Sequence, residues 1–259
     1  MPITDIHCHL QDAAFAEDLQ TTIAQSEKLG IHRLVVNGTS PEDWAEVSQL
    51  AIQYPQIIPQ FGVHPWKVEN LSEDWEQQLK DYLLKHPQAG LGEMGLDRQL
   101  TTAPIALQVE ILHVQLALAR SWDRPVTVHL INAWQQWDAM IKELLLPRTL
   151  LHSFGGSKQQ LKSYVEKGCY FSFGGNLLRP HLSPKLCECI KAVPQDRLLL
   201  ETDAPFQHPL GKSKRQVPQN VVAIAEVVAE LRKIKLGQLL PKLEENAKRY
   251  LFTQDCAQP

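Results

Sequence analysis

Short apolar runs alternate with longer amphipathic segments along almost the whole chain. The apolar runs have the length of strands, and the longer segments repeat their apolar residues at helical spacing. The predicted strands cover residues 3–10, 33–38, 57–64, 89–96, 125–130, 148–154, 170–175 and 198–203. The predicted helices cover 17–30, segments that begin at Ser40 and Ser72, and residues 103–122, 132–145, 157–167, 183–193, 217–233 and 236–251.

This alternation indicates one class of fold. Strands that alternate with helices pair in parallel and are covered by the helices. Eight strand–helix units in 259 residues fit a closed barrel, which typically needs about 250 residues, better than an open doubly wound sheet. The sequence therefore predicts an α/β protein, a (β/α)8 TIM barrel, with a single domain over residues 1–259.

Composition narrows the class of protein further. The chain is 44% hydrophobic and 21% charged, and its net charge of −3 includes no long block of one sign. A strongly basic body that coats nucleic acid is therefore not expected. Five cysteines without paired spacing are typical of reduced thiols. No leader pattern and no apolar run of about 20 residues is present, so we expect a cytoplasmic monomer with no membrane partner.

Candidate chemistry begins in the first predicted strand, with Asp5-Ile6-His7-Cys8-His9. Side chains alternate between the faces of a strand, so His7 and His9 are expected to point the same way. Two imidazoles on one face can share a metal ion. A histidine pair on a strand is more often structural, and the metal interpretation depends on what the later strands carry.

Acidic residues and histidines recur where four later strands end, in Gly92-Glu93-Met94-Gly95, Val128-His129, Leu151-His152 and Glu201-Thr202-Asp203. The carboxyl ends of barrel strands form one rim, where active sites are built. Charged groups are rarely buried unless they are paired or bind a metal. The predicted metal ligands are His7, His9, Glu93, His129, His152 and Asp203.

Six ligands exceed what one tetrahedral ion needs and suit two divalent ions. Glu93 lies between the two histidine pairs in barrel order and is the expected bridge. Asp203 adjoins the first strand when the barrel closes, where it can bind an ion and accept a proton from metal-activated water. Glu93 and Asp203 are thus the predicted catalytic residues. Zinc, magnesium, manganese, cobalt and nickel all remain candidates.

The ordered motifs HxH, GVHPW, GEMGLD, LHSF and ETDAPF resemble those of the TatD-type metal-dependent deoxyribonucleases, a branch of the amidohydrolase-like barrels. The resemblance covers nearly the whole chain. It implies a TIM barrel, two metal ions at the same six ligands and hydrolysis of DNA phosphodiesters, often from the 3′ end. His64 matches a family histidine near the substrate pocket, which implies a role in substrate binding.

The chain departs from the family pattern at Ile131, where the family carries an arginine two residues after the histidine of the fifth strand. An arginine there would pair with a phosphate oxygen. Arg98 and Arg179 follow strands on the same side and are the predicted replacements. The basic run at 212–215 also follows a strand there, but such a run is slightly more often a solvated loop. Trp66 can stack on a base or serve in packing alone.

Three functions remain open at this point. The first is a two-metal hydrolase of DNA or another phosphodiester. The second is a two-metal hydrolase of a small-molecule amide, lactone or aminoacyl ester, which Ile131 favours because it removes a phosphate contact. The third is a non-catalytic metal-binding scaffold, which the complete set of six ligands disfavours.

Overall fold

Eight parallel strands form the centre of the fold, in the order in which they occur along the chain. The computed structural model describes residues 2–99, 103–208 and 215–252, so residues 212–214 of the predicted basic run lie outside it. The strands are β1 (Ile3–Cys8), β2 (Ile31–Asn37), β3 (Ile57–Phe61), β4 (Gly90–Asp97), β5 (Val126–Ile131), β6 (Thr149–Leu151), β7 (Tyr170–Phe173) and β8 (Leu198–Leu200).

The sheet closes on itself between its first and last strands. The backbone N–H of Asp203 donates to the carbonyl of His7 at 3.0 Å, and that of His9 donates to the carbonyl of Ala204 at 2.7 Å. Closure of an eight-stranded parallel sheet with outer helices is a (β/α)8 barrel, so the predicted fold class is confirmed. The same two hydrogen bonds bring Asp203 beside the histidines of β1.

Several predicted strands end earlier than expected. Strand β6 ends at Leu151 and β8 at Leu200, short of the predicted 154 and 203. Shortly after these ends, Ser153 and Asp203 have φ values of +46° and +58°. Such left-handed backbone, rare outside glycine, cannot continue an extended ladder. His152 and Asp203 therefore lie in the turns that leave the strands.

Nine α-helices are found among the described residues. They are α1 (Leu19–Lys28), α2 (Trp44–Gln53), α3 (Trp75–Lys85), α4 (Ile105–Ser121), α5 (Trp134–Ile141), α6 (Lys158–Glu166), α7 (Pro184–Ala192), α8 (Val221–Arg232) and α9 (Leu236–Leu251). The predicted start of α2 at Ser40 was wrong. The Asp43 carboxylate accepts from the N–H groups of Thr39 and Ser40, which holds residues 40–43 in a turn ahead of the helix.

The last helix packs against the inside of the barrel as well as its outside. Tyr250 of α9 is fully buried with Ile6, Val35 and Leu199 from the strands. Its hydroxyl lies 2.9 Å from Oγ1 of Thr127. Helix α9 thus fills the barrel from the end where the strands begin, and the opposite end remains for chemistry. No helix among the described residues has both the length and the apolar character needed to cross a bilayer.

Candidate metal centre

The six predicted ligands meet at the carboxyl ends of the strands. They come from β1, β4, β5 and the turns after β6 and β8, and each exposes less than a tenth of its surface. Burying four imidazoles and two carboxylates together is costly unless the charges compensate one another or bind a cation. The structure therefore places these groups as the sequence predicts, and their role as ligands stays a prediction.

His7 and His9 project from β1 into the same space, with their Nε2 atoms 3.0 Å apart. Nδ1 of His9 lies 2.9 Å from the carbonyl oxygen of Asn37. A carbonyl can only accept, so Nδ1 carries a proton, and in the neutral ring the Nε2 lone pair faces the centre. A backbone carbonyl on the outer nitrogen is the usual support of a metal-binding histidine.

The two carboxylate oxygens of Glu93 face different histidines. Oε2 lies 3.4 Å from Nε2 of His7 and 3.2 Å from Nε2 of His9. Oε1 lies 2.8 Å from Nδ1 of His129 and 2.8 Å from Nε2 of His152. The carboxylate therefore contacts both histidine pairs, one through each oxygen, which is the arrangement expected of a bridging ligand.

Asp203 completes the β1 side of the centre. Its Oδ1 lies 3.5 Å from Nε2 of both His7 and His9. Its Oδ2 accepts a 2.7 Å hydrogen bond from Nε2 of Gln207. Gln207 was not identified from the sequence, because a loop glutamine carries no pattern that would reveal this contact. One oxygen of Asp203 thus faces the histidines while the other is held in place.

Two further carboxylates stand behind the β5 and β6 histidines. Oδ2 of Asp97 lies 3.2 Å from Nε2 of His129, and Oε1 of Glu201 lies 3.6 Å from Nδ1 of His152. Neither was among the predicted site residues. A signal was present for Asp97, which lies four residues after Glu93 within β4, because even spacings share a strand face. Glu201 and Asp203 follow the end of β8, so strand alternation does not relate them.

Burial and the facing charges act in opposite directions on these groups. Burial lowers the pKa of His9, but its contacts with Asp203 and Glu93 outweigh burial and raise the pKa to about 10. Burial raises the pKa of Glu93, while the facing histidines, His152 foremost, hold it well below its usual range. Imidazolium and carboxylate therefore compensate each other, and a metal cation would have to bind here in competition with protons.

His64 lies beside the centre, and its ring is oriented to donate a hydrogen bond from Nε2. It follows β3, and its Nδ1 accepts from the backbone N–H of Trp66 at 3.1 Å. Burial, only partly offset by Glu93, lowers the pKa of His64 to about 4. The neutral ring must then carry its proton on Nε2, which lies 3.4 Å from Oε1 of Glu93. This orientation suits a hydrogen bond to substrate better than metal coordination.

The two predicted basic contacts lie outside the cluster. Arg98 is exposed after β4, and its backbone N–H donates to the carbonyl of Ile131 at 3.0 Å. Arg179 is exposed after β7 and lines a separate cavity beside the centre. The structure thus keeps both arginines on the active rim without bringing either guanidinium into contact with the six ligands.

The donor set fits divalent metal ions. Among the described residues, donor atoms converge within 4.8 Å in the groups His7–His9–Asp203, His7–Glu93–His152 and His64–Glu93–His129. Nδ1 of His7, the ring nitrogen opposite the Nε2 that faces the centre, is buried without a hydrogen-bond partner in the described chain. Imidazole with carboxylate is typical of zinc, manganese, cobalt and nickel sites.

Known proteins are similar to this chain in both sequence and fold. The family model for TatD related DNase matches residues 4–252. The metal-dependent hydrolase YjjV of Escherichia coli is 31% identical over 93% of this chain and 95% of its own length. Its crystal structure superposes with a TM-score of 0.90, covering 96% of this chain and 97% of that one.

Two other relatives cover similar lengths. The metal-dependent hydrolase YabD of Bacillus subtilis is 30% identical over 95% of this chain and 97% of that protein. A protein of Edwardsiella piscicida named 3′-5′ ssDNA/RNA exonuclease TatD is 30% identical over 96% of this chain and 98% of its own. From the match over nearly its full length, this chain belongs to the TatD-related family of metal-dependent hydrolases.

Proposed function

We propose that this protein is a two-metal phosphodiesterase that removes nucleotides from the 3′ end of single-stranded DNA. The proposal rests on the position of Glu93, whose two carboxylate oxygens face different histidine pairs at 2.8–3.4 Å. A carboxylate that served one ion would not need donors on both sides. The exonuclease name of the Edwardsiella relative supports the choice of substrate.

Two groups of residues would hold the ions. His7, His9, Asp203 and Oε2 of Glu93 would hold one, and His129, His152 and Oε1 of Glu93 the other. When bound, a pair of divalent ions supplies Lewis acidity that lowers the pKa of water and stabilises charge on the phosphoryl oxygens. Zinc, manganese, cobalt or nickel suits this donor set best, and magnesium remains in the proposal as a weaker fit.

Asp203 is the proposed base. Its Oδ1 faces the centre while Gln207 holds Oδ2, so a carboxylate that binds the ion is also positioned to accept the proton of the attacking water. Contacts with the β1 histidines outweigh burial and keep the pKa of Asp203 below its ordinary value, so the carboxylate is ionised at neutral pH. His64 would donate its Nε2 proton in a hydrogen bond to a phosphoryl oxygen.

Exposed aromatic side chains next to the centre suit a single-stranded substrate. Trp66 is 57% exposed, and its Nε1–H donates to Asp97 at 2.8 Å. Phe206 is 52% exposed and packs edge-on to His9 at 5.5 Å between ring centroids. Unpaired bases stack on such rings with little sequence preference. Both rings are held at the metal centre, one on the β3 side and one on the β8 side.

Ile131 favours a second candidate function. It is half-buried at the end of β5 and cannot donate to a phosphate where the family has arginine. A two-metal hydrolase of an uncharged amide, lactone or aminoacyl ester would not need that donor. Arg98 argues for the nuclease, because its backbone is bonded to that of Ile131 and its exposed guanidinium extends from the neighbouring strand.

The test is release of nucleotides from 5′-labelled single-stranded DNA with Mg²⁺, Mn²⁺ or Zn²⁺, with chelator as the control. A ladder that shortens from the 3′ end, absent with chelator and in Asp203→Asn, would support the proposal. If protein shown to bind two ions cleaves no DNA with any metal, the phosphodiesterase proposal fails. Hydrolysis of an ester or lactone panel by that protein would then support the second candidate.

A further inference from the structure

A cavity of about 300 Å³ opens beside the metal centre, between the turns that follow β6 and β7 and the start of α7. We call it the β7 cavity. It is lined by Ser153, Phe154, Gly155, Gly156, Phe173, Gly174, Asn176, Arg179, His181, Ser183, Lys185 and Leu186. Its volume lies at the lower end of the range for small-ligand pockets, about 300–1,000 Å³.

The charge of the β7 cavity is one-sided. Arg179, His181 and Lys185 line it, and no acidic residue does. Nζ of Lys185 donates to the carbonyl of Gly155 at 2.6 Å across the cavity, which fixes the ammonium at the wall. The guanidinium of Arg179 has no acidic partner in the described parts of the chain. Uncompensated basic groups around a concave space favour an anion.

The β7 cavity is connected to the metal centre through Gln207. Its Nε2 donates to Oγ of Ser153, a cavity residue, and to Oδ2 of Asp203, both at 2.7 Å. Its Oε1 accepts from the backbone N–H of Asn176 at 3.3 Å. One side chain therefore separates the cavity from the proposed base, so a ligand in the cavity can belong to the molecule that is cleaved at the metal centre.

We infer that the β7 cavity binds a second phosphate of the substrate, next to the one that is hydrolysed. The inference rests on the phosphodiesterase function proposed above. Arg179 and Lys185 provide the charge-assisted donors, and the buried Oδ1 of Asn176, which lacks a partner in the described chain, can accept from a sugar hydroxyl. The substrate is accordingly a nucleotide chain or a terminally phosphorylated nucleotide, and a lone phosphodiester is a poorer substrate.

The test compares Arg179→Ala/Lys185→Ala with a control of equal charge, Lys28→Ala/Arg120→Ala. The control residues lie in the last turns of α1 and α4, at the end of the barrel away from the centre. Substrates are bis(4-nitrophenyl) phosphate and the dinucleotide TpT, which have one phosphate, and TpTpT and pTpT, which have two. TpTpT carries its second phosphate inside the chain and pTpT carries it at the end. Comparing the two substrates therefore shows whether the cavity binds an internal or a terminal phosphate.

We expect the cavity variant to raise KM about tenfold for at least one two-phosphate substrate. This change corresponds to the loss of about one charge-assisted hydrogen bond. The rise in KM should be much smaller for the one-phosphate substrates, and every constant of the control should stay unchanged. Equal changes in KM for all four substrates, or the same change in the control, would overturn the inference.

A binding measurement separates failure of this inference from failure of the proposed function. Thymidine 3′,5′-bisphosphate is titrated calorimetrically into the parent and the cavity variant, whether or not either hydrolyses DNA. Affinity about tenfold lower in the variant supports the second-phosphate site. Equal affinities overturn the second-phosphate site even if the parent proves to be a nuclease. If the parent does not hydrolyse DNA but the two affinities differ as expected, only the proposed hydrolysis is overturned.

Discussion

Glu201 lies directly behind His152, on the side of the ring that faces away from the metal centre. Oε1 of Glu201 is 3.6 Å from Nδ1, and the opposite ring nitrogen, Nε2, is 2.8 Å from Glu93. Glu201 is completely buried, and Oγ of Ser172 donates to its Oε2 at 2.5 Å. Neither Oε1 of Glu201 nor Nδ1 of His152 has a hydrogen-bond partner in the described chain, so the contact acts through charge, which favours a proton on Nδ1 and leaves the inner nitrogen to bind an ion.

Glu201→Gln should therefore weaken metal binding without emptying the site. Loss of such a supporting group typically costs 10–100-fold in metal affinity, and we expect a decrease of about that size by competition with a chromophoric chelator. Glu230→Gln, an exposed change on α8, is the control. Glu201→Asp should restore part of the affinity. An unchanged affinity in Glu201→Gln would leave Glu201 with a packing role only.

Glu93→Ala tests the bridge. Both ions would lose an oxygen ligand, so bound metal per chain should fall below that of the parent, measured by elemental analysis after gel filtration. Glu166→Ala, exposed at the end of α6, should bind as much metal as the parent. The same metal stoichiometry in Glu93→Ala and in the parent would remove Glu93 as the bridge.

Asp203→Asn tests the proposed base. The amide keeps the shape and the hydrogen-bonding capacity toward Gln207 but cannot accept the proton of the attacking water. We expect kcat to fall by about 10²–10⁴, the usual contribution of a positioned base, while at least one ion stays bound. Turnover close to that of the parent would contradict the assigned role. Circular dichroism and metal analysis of the same sample distinguish lost chemistry from lost structure.

Much of this site can be predicted from the sequence because it depends on two periodic features. Alternation along a strand places His7 and His9 on one face, and barrel closure places the turn after β8 beside β1. Both features are independent of side-chain detail. Together with the common rim at the carboxyl ends of the strands, they bring together all six predicted ligands, as the structure does.

What the sequence does not predict depends on geometry after the strands end. The left-handed residues Ser153 and Asp203 turn the chain out of the period-two pattern, so the contacts of Gln207 cannot be derived from spacing. The start of α2 was missed for a related reason. The Asp43 carboxylate accepts from the N–H groups of Thr39 and Ser40, whereas Ser40 was expected to cap the helix itself. Local side-chain competition of this kind depends on the actual backbone.

The ion pair of Glu244 at the opposite end of the barrel predicts a pH-dependent stability. Burial raises the pKa of Glu244, but hydrogen bonds from His32 and Thr4 and the charge of Arg33 outweigh it and lower the pKa below its ordinary value. A carboxylate whose pKa is lower in the folded state stabilises fully above its unfolded pKa. That contribution is lost as pH falls through the folded value.

Glu244→Gln should accordingly lower the free energy of unfolding more at about pH 7 than at about pH 4, where the unfolded chain is already largely protonated. The measurement is urea denaturation of chelator-treated protein, which removes the pH dependence of metal binding. Glu230→Gln, an exposed change, should show no such difference. A loss of stability in Glu244→Gln that is equal at both pH values would mean that packing, and not charge, is the contribution of Glu244.

Ile131→Arg tests why this chain departs from its family. The side chain leaves the end of β5 two residues after His129, and the backbone carbonyl of Ile131 is bonded to Arg98. If a missing phosphate contact limits activity, the new guanidinium should raise kcat/KM on single-stranded DNA about tenfold, the value of one charge-assisted hydrogen bond. Ile131→Met, similar in size and uncharged, is the matched control.

Arg98→Ala should lower kcat/KM in the parent and have less effect in Ile131→Arg, because the two guanidinium groups would serve the same phosphate. Equal losses from Arg98→Ala in both backgrounds would show that Arg98 does not replace the family arginine, and no gain from Ile131→Arg would place substrate selection elsewhere on the rim.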